Sequence, residues 1–122
     1  MTSDIDILIV EDELEIRNWL SVKLKSINWI GKKDWSTSIA KAEELIKRNN
    51  YKLVVLDLSL PDGNGLALLK KLKRNNAEQH VYIFSIYNAL RNTCLRHGAD
   101  AFYDKNTQQD QLIHAIRNRL SI

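Results

Sequence analysis

The sequence predicts an α/β fold: one parallel sheet of five strands with helices on both faces. Five short apolar runs alternate with five stretches of helical periodicity, the pattern of repeated strand–helix crossovers. The connections are short, and no repeat, linker or low-complexity segment breaks the alternation. At 122 residues, 44% apolar and 27% charged, the chain has the size and composition of one globular domain, residues 1–122.

The elements follow in order. "IDILIV" (5–10) is too short for a buried helix and reads as a strand covered on both faces. Glu11, Asp12 and Glu13 come next, acids suited to the first turn of a helix. Ile16, Leu20, Leu24 and Ile27 then share one helical stripe, with Trp19 at its flank and Arg17, Lys23 and Lys25 elsewhere. Residues 30–36 give a second strand, polar enough for a sheet edge. Ser36 or Ser38 caps the next helix, whose apolar positions are Ile39, Ala42, Leu45 and Ile46. "KLVVLD" (52–57) is the third strand, and Pro61-Asp62-Gly63 is a turn. A third helix carries Leu66, Leu68, Leu69 and Leu72. "VYIFS" (81–85) is the fourth strand, and residues 89–97 form a helix that Gly98 ends. "DAFYD" (100–104) is the fifth strand, and 107–120 is a last helix with Leu112, Ile113, Ile116 and Leu120 inward.

Composition excludes several function classes. No run is apolar for long enough to cross a bilayer, and Met1–Asp4 lacks the basic start of a signal peptide. The single cysteine, Cys94, forms no internal disulfide; it fits a reducing cytoplasm and reads as a packing residue. The net charge is +3, but the basic residues are scattered. Their densest cluster, Lys70, Lys71, Lys73 and Arg74, reads as the solvated face and end of one helix. With no zinc finger, basic arm or stacking aromatics, direct nucleic-acid binding is not expected. His80, His97 and His114 lack metal spacing and read as solvated or capping residues, His97 suiting a helix C-terminus. Neither G-x-G-x-x-G nor G-x-x-x-x-G-K-[ST] occurs.

In an open α/β sheet, ligands gather at the carboxyl ends of the strands. Four of the five predicted strands end there in a chemically useful residue: Glu11 and Asp12, Asp57, Ser85, and Lys105. Each has a bland reading as a helix-end acid, a turn acid, a satisfied hydroxyl or a loop charge. Together they are harder to dismiss, because three adjacent carboxylates stay ionised only beside a cation. Hard oxygen ligands suit Mg²⁺, and there is no Cys/His set for zinc. A carboxylate held beside a divalent cation, a lysine and a hydroxyl is a site for an incoming phosphoryl group, with Asp57 the nucleophile. On this reading Asp12 and Asp57 bind Mg²⁺ directly, the Ser59 carbonyl helps, and Glu11 acts mainly through water. An aspartyl phosphatase or mutase is disfavoured, since it needs a second acid two residues after the nucleophile, where Ser59 stands.

"ILIVEDE", "VVLDLSLPDGNGL", "IFS" and "GADAFYDK" resemble the four signature segments of response-regulator receiver domains of two-component signalling. The resemblance covers essentially the whole chain. It implies the flavodoxin-like (βα)5 fold with strand order 2-1-3-4-5, and Mg²⁺-dependent transfer of phosphate to Asp57 from a histidine kinase or phosphotransfer protein. It implies no catalysis beyond the domain's own phosphorylation and dephosphorylation. It also implies a switch: Ser85 moves toward the phosphate, Phe102, three residues before the lysine, turns inward, and the helix 4–strand 5–helix 5 face changes for a downstream protein. Tyr103 is the lesser switch candidate. Kinase docking is expected on the first helix, with Ile16 and Trp19 offering apolar contacts. The protein is expected to be a monomer or a phosphorylation-dependent dimer.

The chain departs from the family pattern in three places. Asn106 stands where receivers usually have proline after the lysine; a cis bond before it would cost about 2.5–4 kcal/mol, so a trans bond with an altered loop or a strained cis bond is expected. Ile86 and Tyr87 follow Ser85 where the family usually starts with a small residue, which predicts slow reaction with small phosphodonors and slow hydrolysis. Serine replaces threonine at position 85 and supplies the same hydroxyl. Two alternatives stay open: a pseudo-receiver that is never phosphorylated, and the N-terminal receiver of a longer DNA-binding regulator. A stand-alone receiver is the favoured expectation.

Overall fold

The structure, a computed structural model, describes residues 3–121. In chain order the elements are β1 (Ser3–Val10), α1 (Leu14–Lys25), β2 (Lys33–Ser36), α2 (Ile39–Arg48), β3 (Asn49–Leu56), β4 (Ser59–Leu60), β5 (Gly63–Asn64) and α3 (Gly65–Asn75). β6 (Val81–Ser85), a 3₁₀ turn (Asn88–Leu90), α4 (Arg91–Arg96), β7 (Ala101–Asp104) and α5 (Gln109–Arg119) complete the chain. The main sheet is wholly parallel, in the order β2-β1-β3-β6-β7. Numbering only its own five strands, that is 2-1-3-4-5, the expected flavodoxin-like arrangement.

Alternation along the central strands divides the core into two. Ile7, Ile9, Leu53, Val55, Tyr82 and Phe84 face Leu20 and Leu24 of α1 and Leu112 and Ile116 of α5. Leu8, Val10, Val54, Leu56, Val81 and Ile83 face Ala42 of α2, Leu68 and Leu69 of α3 and Cys94 of α4. Where both faces are covered, at 7–10, 53–56 and 81–84, every position is apolar and no polar alternation shows, whereas β1 and β3 carry Asp6 and Lys52 nearer their starts, paired at 3.1 Å.

The differences from expectation have local causes. Residues 30–32 lie outside β2; the Asp6 carboxylate instead takes the Gly31 N–H at 2.6 Å. Ser38, not Ser36, caps α2, accepting from the Lys41 N–H at 3.1 Å. The Pro61–Asp62 turn closes a small antiparallel ladder, β4 with β5, that the sequence pattern does not announce. The Asp62 carboxylate also reaches back to α2, taking the Ile39 and Ala40 N–H groups at 2.8 and 3.0 Å. Those bonds hold its carboxyl below the usual range. The fourth helix is shorter than expected because its first turn is 3₁₀. It ends at Gly98, whose φ of +97° is one that glycine adopts readily. α5 starts at Gln109 because the Gln108 side chain turns away to accept from the Asp104 N–H at 3.0 Å.

Last-rung hydrogen bonds carry the parallel ladders one residue past the strands. Glu11 N–H donates to Ser36, Asp57 N–H to Val10 and Lys105 N–H to Ser85, at 2.9, 3.0 and 3.1 Å. Gly65 then seats α3 against the Asp57 loop. Its N–H donates to the Leu58 carbonyl at 2.8 Å, and a Cβ there would overlap the Asp57 carbonyl oxygen and lie 3.0 Å from the Leu58 Cα. Helix propensity alone favours alanine over glycine by up to about 1 kcal/mol. Overlap with fixed backbone reverses the sign, so Gly65→Ala is expected to destabilise by about 1–3 kcal/mol in urea unfolding. Unchanged or raised stability would show that the Asp57 loop yields easily.

Candidate functional site

Parallel topology puts every strand's C-terminal end at one edge, and the acids meet there. Glu11, Asp57, Ser85 and Lys105 are buried, at 2, 3, 0 and 5% exposure, while Asp12 is exposed. The Lys105 ammonium lies 2.8 Å from Glu11 Oε1 and 3.0 Å from Asp57 Oδ2, and Glu13 Oε1 approaches it at 3.6 Å. Asp57 Oδ1 accepts from the Leu58 and Ser59 N–H groups at 2.7 and 3.4 Å. Glu11 Oε2 accepts from the Glu13 N–H at 3.2 Å, and Ser85 Oγ accepts from the Tyr87 N–H at 3.1 Å. Carboxylate oxygens of Glu11, Asp12 and Asp57 all lie within 4.8 Å of one another, close enough to ligate one cation.

The electrostatics are strained by burial. Desolvation pushes the Glu11 carboxyl up to about 7, with the Asp57 charge adding to the rise and Lys105 opposing it. Burial raises Asp57 as well, again against Lys105. For Lys105, burial works to lower the value, but the Glu11 hydrogen bond and the charges of Asp57 and Glu11 outweigh it and the ammonium is held more firmly. With all three carboxylates ionised, one ammonium leaves two negative charges uncompensated, which is the charge a hard divalent cation would neutralise.

Residues 7–117 match the response regulator receiver domain family. The chain belongs to that family. Among its relatives, the transcriptional regulatory protein PmrA of Pectobacterium parmentieri is 35% identical over 113 residues, 91% of this chain and 50% of PmrA. The response regulator ArlR of Staphylococcus haemolyticus is 29% identical over 113 residues, 92% of this chain and 51% of ArlR. The chain thus spans about half the length of these two relatives. The receiver domain of HemR from Leptospira biflexa, non-phosphorylated, superposes with a TM-score of 0.84 at 27% identity, covering 97% of this chain and 95% of that one. The receiver domain of the Francisella response regulator 1452 gives 0.84 at 26% identity, covering 94% and 95%.

Other expected features of the receiver sit differently. Phe102 is buried in this structure. The Arg91 guanidinium stacks over its ring at 4.9 Å and donates to its carbonyl at 3.1 Å. Tyr103 packs edge-on against Tyr82. Ile16 and Trp19 are half-buried and pack against the core, Trp19 stacking on Phe84 at 6.0 Å between centroids. The apolar side chain that α1 leaves free beside the acids is Leu14, 61% exposed. No peptide bond among the described residues is cis, so Lys105–Asn106 is trans. Glu13 near Lys105 and Arg91 against Phe102 were not singled out in the sequence; Glu13 stood in view as the third acid of a run, whereas Arg91 had no local signal.

A pH test follows from Glu11. Its folded-state value near 7 lies above the ordinary 4.5, so between these the folded protein holds the proton more firmly than the unfolded chain. The associated stability is full below 4.5 and is lost as the pH climbs to about 7. In metal-free buffer, urea unfolding should show a fall on the order of 2 kcal/mol across this window, reduced in Glu11→Gln to the part that Asp57, raised in the same direction, contributes. Asp6, Asp62 and Asp104, whose values are lowered, act in a separate window below 3.8. A flat wild-type profile would mean that Lys105 fully compensates the burial.

Proposed function

We propose that this receiver accepts a phosphoryl group on Asp57 from the phosphohistidine of a histidine kinase or phosphotransfer protein, in the cytoplasm, and passes the signal to a downstream protein. The observation that carries the reading is the pairing of the buried Asp57 carboxylate with Lys105 at 3.0 Å, with the Glu11 and Asp12 carboxylates alongside. Asp12, Asp57 and the Ser59 carbonyl are the proposed Mg²⁺ ligands, with Glu11 acting from behind. Bound Mg²⁺ supplies neutralising charge for the phosphoryl oxygens and offsets the acidic cluster.

The chain's own residues account for the rest. An Asp57 oxygen attacks phosphorus as the N–P bond of phosphohistidine breaks, and the imidazole leaves with a proton. Lys105 stands where charge builds on the phosphoryl oxygens. The Ser85 hydroxyl, held at the end of β6, is placed to donate to one of them. Beyond its own phosphorylation and dephosphorylation the domain catalyses nothing on this reading. Tyr87 lines a cleft of about 230 Å³ with Leu58, Ser59, Gly63, Asn64 and Leu90, so its ring borders the path of an attacking water. Leu14 and Ile86, both exposed near the acids, offer apolar contacts to the kinase.

For output, the loop after Ser85 is tied by hydrogen bonds to the α4–β7–α5 face that carries Phe102. Asn88 donates to Asp104 at 2.6 Å, and Arg91 donates to Gln108 at 2.9 Å as well as to the Phe102 carbonyl. A displacement of Ser85 therefore reaches that face through Asn88 and Arg91.

Incubation with Mg²⁺ and phosphoramidate should add one base-labile phosphoryl group to wild type by mass, and none to Asp57→Ala or in EDTA. Unmodified wild type after prolonged incubation would overturn the reading in favour of an unphosphorylated binding module. Lys105→Ala should slow the transfer by about 100-fold, the scale for loss of one preorganised charge contact. Opening the cleft with Tyr87→Ala should speed hydrolysis of the phosphoryl-aspartate by about tenfold. A wild-type lifetime of seconds would show that Tyr87 shields nothing.

A further inference from the structure

We propose that the concavity between the C-terminal ends of α3 and α4 docks an acidic segment of a partner protein. It measures about 550 Å³ and is lined by Lys70, Lys73, Arg74, Arg96 and His97, with Ala77 and Gly98. Among the described residues no carboxylate lines it. The sequence cluster at 70–74 had a bland reading as one helix's solvated face, and the fold splits that cluster. Lys71 turns to α2 and pairs with Glu43 at 3.2 Å, whereas Lys70, Lys73 and Arg74 converge with Arg96 from a separate helix.

Helix ends alone do not account for so much charge. Each helix C-terminus presents about half a negative charge, so the two ends offset roughly one of the four cations. Among the described residues none of the four pairs with a carboxylate. Without them the chain would carry −1 rather than +3, so its whole positive excess resides here. Lys73 is partly committed: its ammonium donates to the Ala77 and Gln79 carbonyls, and its stem lies against Gly98, where an added Cβ would sit 3.1 Å from Lys73 Cε. This contact makes the floor of the groove and leaves Lys70, Arg74 and Arg96 as the recognising charges.

Chemistry favours carboxylates on a peptide over nucleic acid. No aromatic lines the groove for bases to stack on, and the cations ring a short concavity rather than forming a stripe along which a phosphate backbone could run. Lys70, Lys73 and Arg74 are spaced i, i+3, i+4, so they present one face of α3 to a segment bearing acids at matching intervals. The groove is also at the opposite edge of the sheet from Asp57, since α3 starts at the Leu58 carbonyl and runs back along the strands. A partner seated there leaves the acidic edge free.

The test is fluorescence anisotropy of a labelled helical peptide with glutamates at i, i+3 and i+4, against the full chain at low and physiological salt. Lys70→Glu/Arg74→Glu should weaken binding at least tenfold. Lys25→Glu/Lys32→Glu, an equal change of net charge on exposed residues elsewhere, should change it less than twofold. Far-UV circular dichroism and phosphorylation of Asp57 should be unaltered in both variants, which separates lost docking from lost fold. Equal losses in the two double variants would overturn the proposal, because net charge alone would then explain binding. Tighter binding of single-stranded oligothymidine than of the peptide would also overturn it, in favour of a nucleic-acid site.

Discussion

The structure turns on one buried ammonium. Lys105 is drawn out of water between Glu11 and Asp57, and each of the three would be costly to bury without the others. The cost is not fully recovered, because Glu11 keeps a value near 7 despite the lysine beside it. A site built for packing alone would be better served by apolar residues of the same volume. Holding charge in deficit of cations makes sense where further positive charge, or an anionic group stabilised by it, is to be received. The parallel sheet supports this arrangement directly. Its last rungs fix the backbones of Glu11, Asp57 and Lys105, so the charges meet without relying on long flexible loops.

Much of this was legible in the chain because it depends on period and on strand ends. Runs such as 53–56 and 81–84 are apolar at every position, which requires a sheet covered on both faces, and the residue after each run must then lie at one edge. That placed Glu11, Asp12, Asp57, Ser85 and Lys105 together before any coordinates. What was illegible depends on partners distant in sequence. Asp62 reads as a turn residue, yet its carboxylate caps α2 more than twenty residues earlier. Gly65 carries no signal of its own in the sequence, yet it is required by the Asp57 carbonyl against which α3 is seated. Ile16 and Trp19 fall on or beside the apolar stripe of α1, and periodicity does not say whether such a stripe edge packs or waits for a partner. Both are half-buried, packed against the core with part of their surface still open.

Phe102 shows the same limit in a more consequential place. Its position relative to Lys105 marks it as an aromatic of the switch, but its orientation is set by Arg91, eleven residues before it. The guanidinium covers the ring and takes its carbonyl, while its other amino group holds Gln108, which in turn accepts the Asp104 N–H. Those bonds fall on the outer edge of β7, the last strand of the sheet, where Phe102 and Asp104 have no neighbouring strand. Arg91 and Gln108 therefore satisfy an edge that would otherwise be free to pair with another chain.

The same bonds give the proposed signal a route out of the acidic site. On that reading a change at Asp57 acts through groups that have two arrangements to choose between. The loop 86–90 meets that requirement. Ser85 anchors one end, Asn88 hydrogen-bonds Asp104 beside Lys105, and Arg91 begins the helix whose side of β7 it seals. If phosphorylation draws Ser85 toward the phosphoryl group, as proposed, the Tyr87 N–H would be pulled first and Asn88 and Arg91 next. Either those bonds hold and α4 shifts with the loop, or they break and the β7 edge is uncovered. Both routes alter the same face, and only the second exposes backbone hydrogen-bonding groups, so faster amide exchange of β7 on phosphorylation distinguishes an unsealed edge from a displaced helix.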